Sequence, residues 1–377
     1  MSIPFIDLKS QYREVEDAVK SGIDAVLEHG KYVMGPEITE LEEKLAAFAE
    51  TKHAVGCASG TDALLMALMA LGVGPGDAVF TTPFTFMATA ETVSLLGATP
   101  VFVDIDPVTF NLDPADLRRK IEEVKEKGKL TCKGVIAVDL FGLSADYDRI
   151  EQRAHNNGMF LIVDAAQSFG ATYHGKRTTS FGDVACTSFF PAKPLGCYGD
   201  GGMCFANSDE MDALLRSIRV HGSGEDKYDN VRIGINGRLD SMQAAVLLAK
   251  FAIFPGEMDR RDEVAARYGE LLHDVPGVTP PTVPEGYRSV WAQYSLLAES
   301  NEHREELMGR LKAKDIPSVI YYPIPLHLQT AYKNLGYQPG DLPVCEDVAS
   351  RIFSLPMHPY LTAEQQETVV AALKSSC

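Results

Sequence analysis

Between residues 53 and 206, short runs of apolar, β-forming residues alternate with segments of helical spacing. Strands are expected near 53–57, 78–82, 100–104, 135–139, 161–164, 185–189 and 202–206, with helices in the intervals. Sequential strands joined by helices build a mostly parallel sheet covered on both faces. This alternation limits the first part of the chain to an α/β architecture. Ahead of it, Val15, Val19, Ile23, Val26 and Leu27 share one face of a helix over 9–29 that stops near Gly30. A second helix, from Glu37 to about Glu50, carries Leu41, Leu45 and Phe48. The helix starting near residue 61 is expected to be capped by Thr61 or Asp62 and ended by Gly72.

In open sheets of this class, ligands sit beyond the carboxyl ends of the strands. Two such ends carry unusual residues. The run Met159-Phe-Leu-Ile-Val-Asp164-Ala-Ala-Gln167 ends an apolar strand on an acid. The run Ser188-Phe-Phe-Pro-Ala-Lys193-Pro-Leu-Gly follows another strand with a lysine walled by aromatics and prolines. Taken singly, Asp164 is a strand-end cap and Lys193 a surface loop residue. Taken together they suit pyridoxal phosphate, whose aldehyde condenses with an amine and whose ring nitrogen needs an anionic partner. The turn Ser59-Gly60-Thr61-Asp62 at a helix start offers free N–H groups to a phosphate, or is an ordinary cap. Phe86, just past a strand end, is placed for stacking on a flat ring or for core packing. No GxGxxG or P-loop sequence is present, which argues against a dinucleotide or ATP site and so against a dehydrogenase.

After Asp209 the pattern changes. A helix to about Val220 leads into a polar loop at 222–228, and Asp240 is expected to cap a long helix. A smaller α+β lobe is expected over 252–377, after a large domain over 1–251. Strands are expected near 291–297 and 318–322, helices near 302–314, 343–353 and 363–374, and rigid loops at 323–327 and 354–359. At 377 residues, 45% of them hydrophobic and 23% charged, the chain is long enough for both lobes. A net charge of −17 disfavours nucleic acid as a partner. No apolar run reaches membrane-spanning length, and the opening residues lack a signal-peptide pattern. The seven cysteines show no paired spacing, which favours reduced thiols over disulfides or zinc and points to the cytoplasm. No metal site is expected.

Seven blocks in order resemble the DegT-type sugar-nucleotide aminotransferases, which have the type I pyridoxal-phosphate aminotransferase fold. They are Ile3-Pro-Phe-Ile-Asp-Leu, Ser59-Gly-Thr-Asp-Ala-Leu, Phe84-Thr-Phe-Met-Ala-Thr-Ala, Val163-Asp-Ala-Ala-Gln-Ser, Ser188-Phe-Phe-Pro-Ala-Lys-Pro-Leu-Gly, Gly234-Ile-Asn-Gly-Arg-Leu-Asp and Pro325-Leu-His-Leu-Gln. The resemblance implies that Lys193 bonds the cofactor and shuttles protons, and that Asp164 pairs with the ring nitrogen. It further implies Gln167 near the ring hydroxyl, Phe86 on the ring, and Gly60, Thr61 and Ser188 on the phosphate. Asn236 is expected to reach that phosphate from a neighbouring subunit, making a homodimer with shared sites. His221, Arg238 and His327 are candidates for the substrate, each with a structural or solvated role as the alternative. Asp139 stands where many relatives have His, so a role borrowed from that His lapses. The implied reaction moves an amino group, with glutamate as the expected donor, to a nucleotide-linked keto-sugar. Val-Asp-Leu-Phe-Gly and Asn-Gly-Arg-Leu-Asp tilt the reading to a UDP-linked 3-keto N-acetylhexosamine or its uronate, in polysaccharide or O-antigen synthesis. The alternatives are a 4-keto-6-deoxy sugar acceptor, a pyridoxamine-dependent dehydratase, which would have His in place of Lys193, and a non-catalytic sensor.

Overall fold

The structure, a computed structural model, describes residues 3–226 and 228–374. Met1, Ser2, Lys227 of the polar loop and Cys377 lie outside the described residues. Two helices, α1 (Leu8–His29) and α2 (Pro36–Ala49), open the chain. Then follow β1 (His53–Cys57), α3 (Gly60–Ala70), β2 (Asp77–Thr81), α4 (Ala88–Leu95), β3 (Thr99–Phe102), α5 (Pro114–Lys127), β4 (Thr131–Val138), α6 (Tyr147–His155) and β5 (Phe160–Asp164). Two short strands, β6 (Thr172–Tyr173) and β7 (Lys176–Arg177), precede β8 (Val184–Ser188), β9 (Gly202–Ala206) and α7 (Asp209–Arg219).

Seven strands form the main sheet, in the order β1-β9-β8-β5-β4-β2-β3. Parallel pairing joins β3, β2, β4, β5 and β8, whereas β9 runs antiparallel to both β8 and β1. All strands but β9 therefore point the same way, and the ends of β1, β2, β4, β5 and β8 share one edge of the sheet. Side chains alternate across it, as the two-residue period requires. Val135, Ala137, Leu161, Val163 and Phe205 face a core shared with helices α1 and α2, while Ile136, Ile162, Val184 and Cys204 face one shared with α3 and α7. Burial on both faces explains why these strands read as continuous apolar runs.

Helix α8 (Ser241–Phe251) runs almost directly into α9 (Phe254–Leu272). The latter was not evident from the sequence, because its apolar stripe changes partner midway. Phe254 and Met258 pack into the main-sheet core, and Val264, Ala265, Tyr268 and Leu272 into a second core. That second core lies around β10 (Val278–Thr279), β12 (Tyr294–Ala298), α10 (Asn301–Lys312), β13 (Ile352–Leu355) and α12 (Ala363–Lys374), and it also receives Ile3. A short strand, β11 (Tyr287–Arg288), pairs with β6.

Several boundaries differ from expectation. The strand expected at 318–322 is absent; Val319 makes only an isolated bridge to Ser354. Residues 354–359 were read as a loop, yet Ser354 and Leu355 belong to β13, and the preceding helix α11 (Pro343–Arg351) stops earlier than expected. Helix α3 is capped by Ser59, whose side chain accepts the Asp62 N–H at 3.0 Å, and not by Thr61 or Asp62. Asp240 occupies the N-cap of α8 without a side-chain cap bond.

Candidate active site

The shared edge of the sheet gathers the candidates. Asp164 ends β5 and is 5% exposed. Thr89 Oγ1 donates to its Oδ2 at 2.8 Å and the Ala166 N–H to its Oδ1 at 3.2 Å. With one donor on each oxygen, the carboxylate keeps lone pairs for a further partner. Burial pushes its pKa up, against the pull of Thr89, Ala166 and the charge on Lys193. A cation placed beside it reverses that direction, since an opposite charge favours the ionised form. Lys193 is half-buried in the loop after β8, its backbone N–H donating to Phe190 C=O at 2.8 Å. Burial lowers its amine pKa, with Asp164 opposing. A less basic amine is a better nucleophile near neutrality.

Gln167 is 4% exposed. Its Oε1 accepts the Phe141 N–H at 2.7 Å, and its Nε2 donates to Tyr322 Oη at 3.2 Å. Tyr322 comes from the segment between α10 and α11, so Gln167 ties that segment to the sheet edge. Gly60 and Ser188 meet directly: a Cβ on Gly60 would lie 2.6 Å from Ser188 Cβ. A side chain there would force the start of α3 away from the end of β8. The first-turn N–H groups of Gly60 and Thr61 have no intrahelical acceptor, and the Ser188 hydroxyl lies beside them. Phe86 is 59% exposed, in the turn leading to α4, the helix that supplies Thr89. A large ring left that open at a strand end is available to a flat ligand.

The other candidates are more scattered. Asn236 is exposed, and its Oδ1 accepts Arg238 Nη2 at 2.6 Å and Nε at 3.0 Å. The next residue, Gly237, accepts the Ala58 N–H at 3.0 Å, which sets this loop against the β1–α3 turn of its own chain. His221 is exposed, with a left-handed φ of 56°. His327 is enclosed at 1% exposure, with Nε2 3.1 Å from Glu346 Oε1 and Phe102 and Tyr337 around the ring. These contacts hold the ring in place and leave Nδ1 buried without a hydrogen-bond partner among the described residues. Sequence reasoning missed Thr89 and Tyr322. A threonine inside an apolar helix and one tyrosine among many carry no signal until the fold brings them to Asp164 and Gln167.

Asp139, directly after β4, is fully buried and accepts from the Tyr147 hydroxyl, from Ser168 Oγ at 2.5 Å and from the Ala145 N–H at 2.9 Å. Burial raises its pKa to about 7, against the pull of those donors.

Residues 14–374 match the model of the DegT/DnrJ/EryC1/StrS aminotransferase family. The chain belongs to this family. It is 48% identical, over 98% of its length and 99% of the relative's, to the UDP-2-acetamido-2-deoxy-3-oxo-D-glucuronate aminotransferase of Pseudomonas aeruginosa. A DegT DnrJ EryC1 StrS aminotransferase from Brucella abortus superposes with a TM-score of 0.95 at 51% identity, covering 99% of this chain and 98% of that one. NtdA from Bacillus subtilis, solved with bound cofactor PMP, superposes with a TM-score of 0.88 at 29% identity, covering 99% of this chain and 84% of that one. The protein is an aminotransferase of the type I fold, and pyridoxal phosphate is its cofactor. The residues present fit that group: a buried carboxylate with lone pairs to spare, a desolvated lysine, an exposed phenylalanine, and a helix start pressed against a serine where only glycine fits.

Proposed function

We propose that this aminotransferase moves an amino group from glutamate to the keto carbon of a UDP-linked 3-keto N-acetylhexosamine or its uronate. The observation that carries the reaction is the pair of strand-end residues Asp164 and Lys193, buried and half-buried and each sensing the other's charge. Support for the acceptor is the name of the Pseudomonas relative, at 48% identity over nearly the whole of both chains.

When bound, pyridoxal phosphate supplies an aldehyde that takes up the amino group and a ring that delocalises the electrons of the reacting carbon. Lys193 Nζ would be the base that removes the proton from the amino donor's Cα in the first half-reaction and, once the donor has left, the acid that gives a proton to the acceptor's former keto carbon in the second. Asp164, held by Thr89 and Ala166, is the anionic partner of the ring nitrogen. Phe86 covers the ring, Gln167 orients it, and Gly60, Thr61 and Ser188 hold the phosphate. We assign Arg238 and His221 to the substrate side and treat His327 as structural.

The working unit in this reading is a homodimer in which Asn236 serves the neighbouring site. Its exposed side chain, with exposed Val231 and Ile233 nearby in sequence, supports this. We place the enzyme in the cytoplasm, in the synthesis of a surface polysaccharide such as an O-antigen. The six described cysteines are free thiols, which suits a reducing compartment, and no described helix is long and apolar enough to cross a membrane.

Single turnover of the pyridoxamine form against a panel of keto-sugar nucleotides tests the proposal. Fastest amination of a UDP-linked 3-keto N-acetylated sugar is expected. Preference for a 4-keto-6-deoxy sugar would overturn the acceptor, and no amination of any member would overturn the activity.

A further inference from the structure

Lys250, on α8, has no exposed surface. Enclosing an ammonium costs several kcal/mol unless partners compensate. Its Nζ donates to the Gly196 carbonyl and lies 5.0 Å from the centre of the Tyr198 ring. Both partners belong to the loop between β8 and β9, the loop that carries Lys193. The opposite charge comes from Glu257 on α9, 1% exposed and itself held by Gln11 Nε2 at 2.9 Å and Tyr360 Oη at 2.6 Å. Two turns earlier on α8, Gln243 grips the same loop at both backbone groups of one residue, Tyr198. Its Oε1 accepts the Tyr198 N–H at 2.9 Å and its Nε2 donates to Tyr198 C=O at 3.4 Å.

The loop transmits these grips toward Lys193. A Cβ on Gly196 would lie 2.5 Å from Phe190 O and 2.7 Å from Pro191 O, so the Gly196 backbone presses on that turn. The Phe190 carbonyl there accepts the Lys193 N–H, and the Cys197 N–H donates to Phe189 O at 2.8 Å, closing the loop on itself. A shift at Gly196 therefore moves the turn from which the Lys193 side chain departs.

We propose that Lys250 and Gln243 are positioning residues: through them α8 holds the loop so that the Lys193 amine is presented for condensation with the cofactor aldehyde. In that step the Nζ lone pair forms the C=N bond while the carbonyl oxygen leaves as water. The inference rests on Lys193 as the lysine that bonds the cofactor. Misplacement of a reacting group by about 1 Å costs up to about a hundredfold in rate.

The test mixes cofactor-stripped full-length protein with pyridoxal phosphate and quenches with borohydride at intervals. The reduced adduct on the Lys193 peptide is quantified by mass, and non-covalently bound cofactor by ultrafiltration. Lys250→Met keeps the length and removes the donor and the charge; Gln243→Ala removes the second grip; Lys250→Arg restores a donor. Capture at Lys193 is expected to slow about tenfold or more in Lys250→Met and several-fold in Gln243→Ala. Non-covalent binding should be unchanged, the pH midpoint of the visible band displaced, and the arginine variant partly rescued. Wild-type capture rate and midpoint in the methionine and alanine variants would overturn the proposal. Should Lys250→Met not fold, Gln243→Ala decides alone, and an unchanged rate there overturns it. Failure of the underlying reading looks different: the wild-type protein itself would then carry its adduct on another residue, or none.

Discussion

At the scale of single residues, two neighbouring strand ends deliver two buried acids with different partners. Asp164 has two donors; Asp139 has three. The difference assigns them different tasks. Asp164→Asn keeps the shape and removes the charge that, in the proposed role, holds the ring nitrogen protonated. Loss of one charge-assisted contact weakens cofactor binding by about 1.5–3 kcal/mol. Turnover is expected to fall far more steeply than occupancy, because the missing charge acts on the barrier itself; equal turnover of variant and wild type at matched occupancy would remove Asp164 from the chemistry. Asp139 binds its proton more tightly folded, at about 7, than at its ordinary value of 3.8. Its contribution to stability is therefore fully present below about pH 4 and is lost as the pH rises through 7. Asp139→Asn should flatten that part of the dependence, seen as a variant-minus-wild-type difference in unfolding free energy that changes between pH 4 and 7 and is constant above. The positions of Asp164 at the end of β5 and Lys193 in the loop after β8 were legible in the sequence. The donors that tune them were not, because Thr89 lies 75 positions from Asp164 and only the sheet order unites them.

Among the elements, the strands of the main sheet were the most legible part. Strands buried on both faces need unbroken apolar runs, and two of those runs end on a buried acid, Asp139 after β4 and Asp164 on β5. Helix starts were less so. Ser59 caps α3, although Thr61 and Asp62 are also good cap residues within three positions, and only the backbone path separates them. Ser59→Ala should cost about 0.5–2 kcal/mol in urea unfolding of the cofactor-free protein. It should also weaken cofactor retention, since the same turn presents the phosphate-facing N–H groups. Unchanged stability would mean that the helix start is held by Gly60 against Ser188 and not by its cap. The small lobe was read less well for a physical reason. Its strands are short and lean on α9, whose apolar stripe serves two cores in succession, and its tyrosines at 321 and 322 pack, partly buried, against another core around Phe84, Phe102 and Phe141 without belonging to a strand.

Taken whole, the molecule places its proposed cofactor residues along one sheet edge, while exposed Asn236 and half-buried Arg238 sit in the loop just before α8. In the proposed homodimer, each site combines Lys193 of one chain with Asn236 of the other. Two crippled variants, Lys193→Ala and Asn236→Ala, should then complement each other on mixing. By the two-fold symmetry of such an interface, one site of each heterodimer holds both defects and the other neither, so up to about half the sites work. Sizing and mass measurements establish that subunits exchange, and assay of Asn236→Ala alone establishes its own loss. Confirmed heterodimers without activity would assign Asn236 to the site of its own chain, against whose β1–α3 turn the neighbouring Gly237 already lies.

The central claim is that Lys193 bonds pyridoxal phosphate at the sheet edge beside Asp164. Borohydride reduction of the holoenzyme followed by peptide mapping tests it most directly. The account predicts one reduced cofactor per chain, on the peptide containing Lys193, and none on that peptide when glutamate has first converted the enzyme to its pyridoxamine form. Cofactor fixed to a different lysine, or a reduced protein carrying no cofactor at all, would contradict it.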